Sequence, residues 1–188
     1  MPDKPKCIIV TGRSGAGKST LSKELANLLY MPVISRDEIK EGYVNTFGVR
    51  HDELPPDSNR VATEIFFDTV SFLLARKISL IVEAAFQHHV WQPRMDALAT
   101  SARVCFVICS VDSEIATRRH LHRGLNNPNR EFYHGDKRVA VYREQGILKS
   151  ACDYDSPAFD LPTIEVSTLD GYSPTLNTVC DFAAASTA

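Results

Sequence analysis

Gly12-Arg13-Ser14-Gly15-Ala16-Gly17-Lys18-Ser19 is the stretch on which the reading of this chain turns. It fits the pattern G-x-x-x-x-G-K-[ST]. Glycines let backbone N–H groups wrap around phosphate oxygens with no Cβ in the way, and a helix opening there adds the positive end of its dipole. Lys18 can then reach the β and γ phosphates, while the Ser19 hydroxyl is an oxygen ligand of the kind Mg²⁺ takes beside them. The expected nucleotide contacts are these eight residues and Thr20, with ATP and Mg²⁺ as the groups bound.

A chance glycine-rich turn is the competing explanation, and the flanks decide between them. Upstream, Cys7-Ile8-Ile9-Val10 is a continuous apolar run rich in β-branched residues, bounded by Pro5 and Gly12, which predicts a fully buried parallel strand. Downstream, Leu21, Leu25, Leu28 and Leu29 recur at helical spacing over 18–29, and Pro32 stops the helix. Strand, loop and helix in that order are the context the motif requires.

The pattern continues along the chain. Pro32-Val33-Ile34 reads as a second strand, and Ser35 with Glu38 matches a capping box that starts a helix at Arg36. Residues 44–58 lack periodicity, after which Val61, Ile65, Thr69, Phe72 and Leu73 mark one face of a helix ending near Arg76. Leu80-Ile81-Val82 and Val104-Cys105-Phe106-Val107-Ile108 predict the third and fourth strands around a helical segment at 90–100. A helix over 113–123, an irregular polar stretch at 124–135, a fifth strand at Thr163-Ile164-Glu165-Val166 and a closing helix over 176–185 follow. Such alternation predicts a three-layer α/β/α fold with a mostly parallel sheet of about five strands. At 188 residues, one domain is expected.

Composition narrows the function classes. Hydrophobic residues make up 44% and charged residues 23%, the balance of an ordinary globular chain. A net charge of −2 supplies no field to draw in a nucleic-acid backbone or an anionic membrane. The five cysteines, Cys7, Cys105, Cys109, Cys152 and Cys180, are odd in number and scattered, which suits a reducing cytoplasm. Met1-Pro2-Asp3-Lys4-Pro5 does not open a signal peptide, and no run approaches the ~20 apolar residues of a membrane span. His88-His89 and His120-x-His122 have no Cys or acidic partner at ligand spacing, so they read as surface or substrate-loop residues, and Trp91 as packing. Nothing here sets the oligomeric state.

A phosphate loop serves kinases, motors and switches alike, so other residues must choose. The N-K-x-D, T-K-x-D and D-x-x-G strings of a GTPase do not occur. Asp37 follows the second strand in the first turn of a helix, at the rim where ligands sit in open α/β sheets. A carboxylate there can take the proton of an attacking hydroxyl; the plain alternative is that it complements the helix dipole. Glu83 ends the third strand at the same rim and can hold a magnesium-bound water or a substrate hydroxyl, or else form a salt bridge. Arg118, Arg119, Arg123, Arg130, Lys137, Arg138 and Arg143 crowd one segment, as arginines beside a mobile lid do in phosphoryl transfer, unless they form a solvated basic face. Arg119 and Arg123, four apart on one helix face, are the preferred pair.

Taken in order, these residues resemble the polynucleotide-kinase-like branch of P-loop kinases, which includes zeta-toxin-like and chloramphenicol-phosphotransferase-like enzymes. The resemblance rests on Ile8-Ile9-Val10-Thr11-Gly12 through Ser19-Thr20-Leu21, Ile34-Ser35-Arg36-Asp37-Glu38-Ile39, Leu80-Ile81-Val82-Glu83-Ala84 and Arg118-Arg119-His120-Leu121-His122-Arg123-Gly124. It implies that Asp37 is the catalytic base and that Arg123 or Arg119 is the lid arginine. Polynucleotide kinases tend to end the third strand in Asp followed by a hydroxyl or amide residue, whereas this chain has Glu83-Ala84-Ala85, a departure that weighs against a nucleic-acid substrate.

The expectation is in-line transfer of the γ-phosphoryl group of ATP to a hydroxyl of a small molecule, with Lys18, Asp37, Arg119 and Arg123 as the catalytic set. The acceptor is expected over 38–60 and 84–94, adenine near the lid helix and the 167–171 loop, and a lid near 124–137. A regulatory ATP-binding protein and a 5′-hydroxyl polynucleotide kinase are the alternatives.

Overall fold

The computed structural model describes residues 4–135, 137–148 and 153–185. Met1 to Asp3, Cys152 and the lid's Asp136 lie outside the described residues.

Five parallel strands form one sheet: β1 (Lys6–Thr11), β2 (Val33–Ser35), β3 (Leu80–Glu83), β4 (Arg103–Ser110) and β5 (Thr163–Ser167), in the order β2-β3-β1-β4-β5. Parallel pairing needs both faces covered, and the side chains alternate accordingly. Cys7, Ile9, Val82 and Phe106 pack on one face with α3 (Ser58–Ala75), α4 (His88–Trp91) and α5 (Met95–Ser101). Ile8, Val10, Ile81 and Val107 pack on the other with α1 (Lys18–Leu29) and α9 (Leu176–Ala185). The three-layer α/β/α arrangement is thus present.

Trp91 is fully buried among Phe66, Phe67, Phe86 and Phe106. Cys7, Cys105 and Cys109 are core residues, and burial pushes the last two thiols up to about 12. Cys180 is half-buried on α9. Among the described residues, no helix is long and apolar enough to cross a membrane.

Three expectations need correction. The buried face of α3 is Ser58, Ala62, Phe66, Phe67, Val70 and Leu74, while Ile65 and Phe72 are exposed. The helix is apolar on more than one stripe, so packing against the sheet chose the face. Ser35 caps no helix with its side chain: α2 (Arg36–Phe47) starts where expected, but the hydroxyl is used elsewhere. The stretch at 124–135 is largely helical, ending α6 (Ser113–Asn126) and containing α7 (Asn129–His134); α8 (Arg138–Gln145) follows.

Candidate active site

The loop between β1 and α1 keeps its glycines for steric reasons. Gly12 and Gly15 have φ of 139° and 89°, and a Cβ on either would run into a carbonyl oxygen, of Cys109 and Ala116 respectively. The loop is thereby pressed against β4 and α6. Gly17 caps α1 without a side-chain hydrogen bond, and the first turn carries no acid. Its N–H groups and dipole are left for an anion.

A cavity of about 60 Å³ opens at this helix end, lined on one side by Ser14, Gly15, Gly17, Lys18, Ser19 and Thr20. Asp37, Glu83, Ala85, Arg123 and Arg130 line the other. Lys18 is buried and its Nζ donates to the Arg13 carbonyl at 3.0 Å. Burial lowers the Lys18 pKa, and the charges of Glu83 and Asp37 work against that loss. Glu83, at the end of β3 beside Ser35 of β2, accepts the Ser35 hydroxyl at 2.8 Å. Burial raises its pKa, while Lys18 and Ser35 pull it down. Asp37 remains largely solvent-exposed, its nearest cation being Arg36 at 3.8 Å.

The arginines divide between two places. Arg123 lies on the phosphate cavity, whereas Arg119 donates to the Thr168 hydroxyl at 3.2 Å and to the Thr168 and Leu169 carbonyls at 2.9 and 3.0 Å. Four residues of helix separate them by about 6 Å along the axis, so one face serves two pockets. Arg119 lines a second cavity of about 400 Å³ with Thr20, Leu169, Asp170 and Gly171, at the 167–171 loop where adenine was expected. Gly17 and Thr20 border both cavities.

Arg130 was passed over in favour of Arg119. Its Nε is buried with no hydrogen-bond partner among the described residues, and it sits on the phosphate cavity with Arg123. Arg130 lies on α7, so the missed helix concealed it.

Helix α7 is fastened to α2 and the turn after it. His134 pairs with Glu41 at 2.8 Å, Lys40 Nζ donates to the His134 carbonyl at 3.4 Å, and Arg50 meets Glu131 at 3.1 Å. Burial and the neighbouring Arg36 push Lys40 down to about 8. His134 and His51 are held below the usual imidazole value, mainly by burial. Of the histidines expected at the surface or in a substrate loop, His120 is instead buried on α6, the His88 ring stacks on Phe159 and accepts the Ala158 N–H at 3.1 Å, and His122 meets Asn126.

Oxygen donors suited to a hard divalent cation stand on the wall of the phosphate cavity in Ser19, Asp37 and Glu83. Mg²⁺ takes few protein ligands beside substrate phosphates, so this donor set fits it.

A family model described as an AAA domain matches residues 7–145. The chain belongs to that family. No curated protein shows significant similarity to this AAA-domain chain. Its fold is that of P-loop kinases. A candidate kinase from Chloroflexus aurantiacus superposes with a TM-score of 0.77 at 23% identity, over 97% of this chain and 98% of that one. The Mycobacterium tuberculosis APS kinase, solved with AMPPNP and APS, gives 0.63 at 18% identity, over 97% and 99%. A gluconokinase from Sinorhizobium meliloti gives 0.56 at 17%, over 98% and 93%.

Proposed function

We propose that this chain, acting as one cytoplasmic domain, moves the γ-phosphoryl group of ATP to a hydroxyl of a small molecule. One observation carries the reading: a helix N-terminus, Lys18, two arginines and two carboxylates converge on a single cavity. Fixed cations serve charge that spreads over transferring phosphoryl oxygens, and a carboxylate opposite them serves the attacking hydroxyl.

The triphosphate lies along 12–20, with its β and γ oxygens on Lys18 and the loop N–H groups. The base extends toward Arg119 and the 167–171 loop. The acceptor oxygen attacks phosphorus, forming one P–O bond as the bond to the β-phosphate oxygen breaks and ADP leaves with that electron pair. Asp37 takes the acceptor's proton, and Arg123 with Arg130 balance charge on the transferring group. Mg²⁺, when bound, neutralises phosphate charge; Ser19, and Glu83 through water, are the residues that would hold it. Exclusion of water by α7 favours transfer over hydrolysis.

The test is incubation of the protein and Mg²⁺ with γ-labelled ATP and pooled small alcohols. Label appearing in a product that depends on one pool component supports a kinase; ATP binding with no acceptor-dependent product across the pools contradicts it.

A further inference from the structure

Arg13 belongs to the phosphate loop, yet its side chain does not line the phosphate cavity. It lines a neighbouring cavity of about 170 Å³ with Gln87, Arg138, Asp153 and Tyr154. The two cavities meet at Ser14 and Ala85, which border both.

Arg13 is a half-buried residue, and its guanidinium makes no hydrogen bond or ion pair with the described residues. A guanidinium with no protein partner offers a planar set of N–H donors that an arriving anion can take up. Arg138 brings a second guanidinium from α8 to the same wall, where Asp153 is the carboxylate among the described lining residues. The wall is also held in place. Tyr154 shares a hydrogen bond with the Thr11 hydroxyl at 2.9 Å and donates to the Phe86 carbonyl at 3.2 Å, while Gln87 donates to the Asp153 carbonyl at 3.3 Å.

Arg13 and Tyr154 also border a cavity of about 260 Å³ on the other side. Among the described residues, that cavity contains Glu165 and no second cation, and it shares none with the phosphate cavity. An acceptor bound there would be poorly placed for phosphoryl transfer.

We infer that the acceptor is a small alcohol bearing an acid group. The acid is held between Arg13 and Arg138, and a hydroxyl extends past Ser14 and Ala85 toward Asp37. Planar guanidinium groups pair with carboxylate or phosphate through parallel N–H bonds, so either acid satisfies the wall. The volume lies below the ~300 Å³ at which drug-sized pockets begin, which fits a small metabolite. The inference rests on the kinase reading and adds the substrate class to it.

Matched sets test it, each comprising a neutral polyol, its carboxylate counterpart and its phosphate counterpart, such as glycerol, glycerate and glycerol phosphate with their six-carbon analogues. Transfer from γ-labelled ATP is measured for the parent and for Arg138→Gln and Arg13→Gln, and binding of each compound is measured by calorimetry beside a non-hydrolysable ATP analogue. In the parent, kcat/KM for one acidic member exceeds that of its neutral counterpart by at least about tenfold, and Arg138→Gln removes that preference. The carboxylate and phosphate arms identify the acid. Equal kcat/KM for neutral and acidic members, or a preference that survives both substitutions, overturns the inference and leaves the kinase standing. Acid binding that both substitutions weaken, with no transfer to any compound, keeps the pocket and overturns the kinase reading. No binding and no transfer overturns both.

Discussion

The Ser35 hydroxyl donates to Glu83 across neighbouring strands at 2.8 Å, at the point where the phosphate cavity meets the sheet. Both residues are buried, so this bond and the charge of Lys18 oppose the burial that raises the Glu83 pKa. A carboxyl whose folded pKa is raised contributes stability below its unfolded pKa and loses that contribution as pH rises through the folded value. Ser35→Ala raises the value further, so its cost is larger with Glu83 ionised. The loss should grow between about pH 4 and about pH 8, toward about 1.5–3 kcal/mol, the range for a hydrogen bond to a charged group, as Glu83 ionises. Denaturant melts at both pH values measure it; equal losses would remove Glu83 ionisation from the account.

The arginines should separate by kinetic signature. Arg123→Gln and Arg130→Gln should lower kcat by about 10²-fold or more, because their charge meets the transferring group. Arg119→Ala should instead raise the KM for ATP with kcat retained, because it removes binding common to ground and transition states. Steady-state kinetics with varied ATP distinguish the two, and a kcat defect confined to Arg119→Ala would reverse the assignment.

Acid should loosen α7. The pKa values of His134 on α7 and of His51, whose ring lies against Gly135 at the end of α7, are lowered from 6.5, mainly by burial. For a depressed folded pKa, the stabilisation is complete above the unfolded value and lost as pH falls through the folded one. Amide hydrogen exchange at 129–134, corrected for intrinsic rates, should therefore quicken from about pH 7.5 to pH 5 more than exchange in β1. Equal protection at both pH values would mean that these histidines do not govern the helix.

Much of this was legible where a local rule decides the outcome. Helix α1 spans 18–29 as its leucine spacing predicts, and each strand lies where an apolar run stands. The phosphate loop is bound by the same glycine sterics that its letters imply, with Gly12 and Gly15 at positive φ. What escaped is decided by distant partners. Ser35 has the letters of a capping box, but its hydroxyl bonds Glu83, 48 residues away. The packed face of α3 was hidden by apolar residues on more than one stripe, as exposed Phe72 illustrates. Helix α7 is short, with no buried residue to give it a period, so Arg130 was named in the arginine cluster but left out of the preferred pair. Helical spacing placed Arg119 and Arg123 on one face but could not reveal that β5's following loop would claim Arg119.

The account depends most on Asp37, exposed at the mouth of the phosphate cavity opposite Lys18. Comparing the parent with Asp37→Asn, by calorimetric titration with ATP and Mg²⁺ and by single-turnover transfer to the accepted alcohol, tests it directly. The predicted result is an ATP affinity within about threefold of the parent and transfer slowed by about 10²-fold or more, the scale of a lost general base. Unchanged transfer by Asp37→Asn, or no ATP binding by the parent, would contradict it.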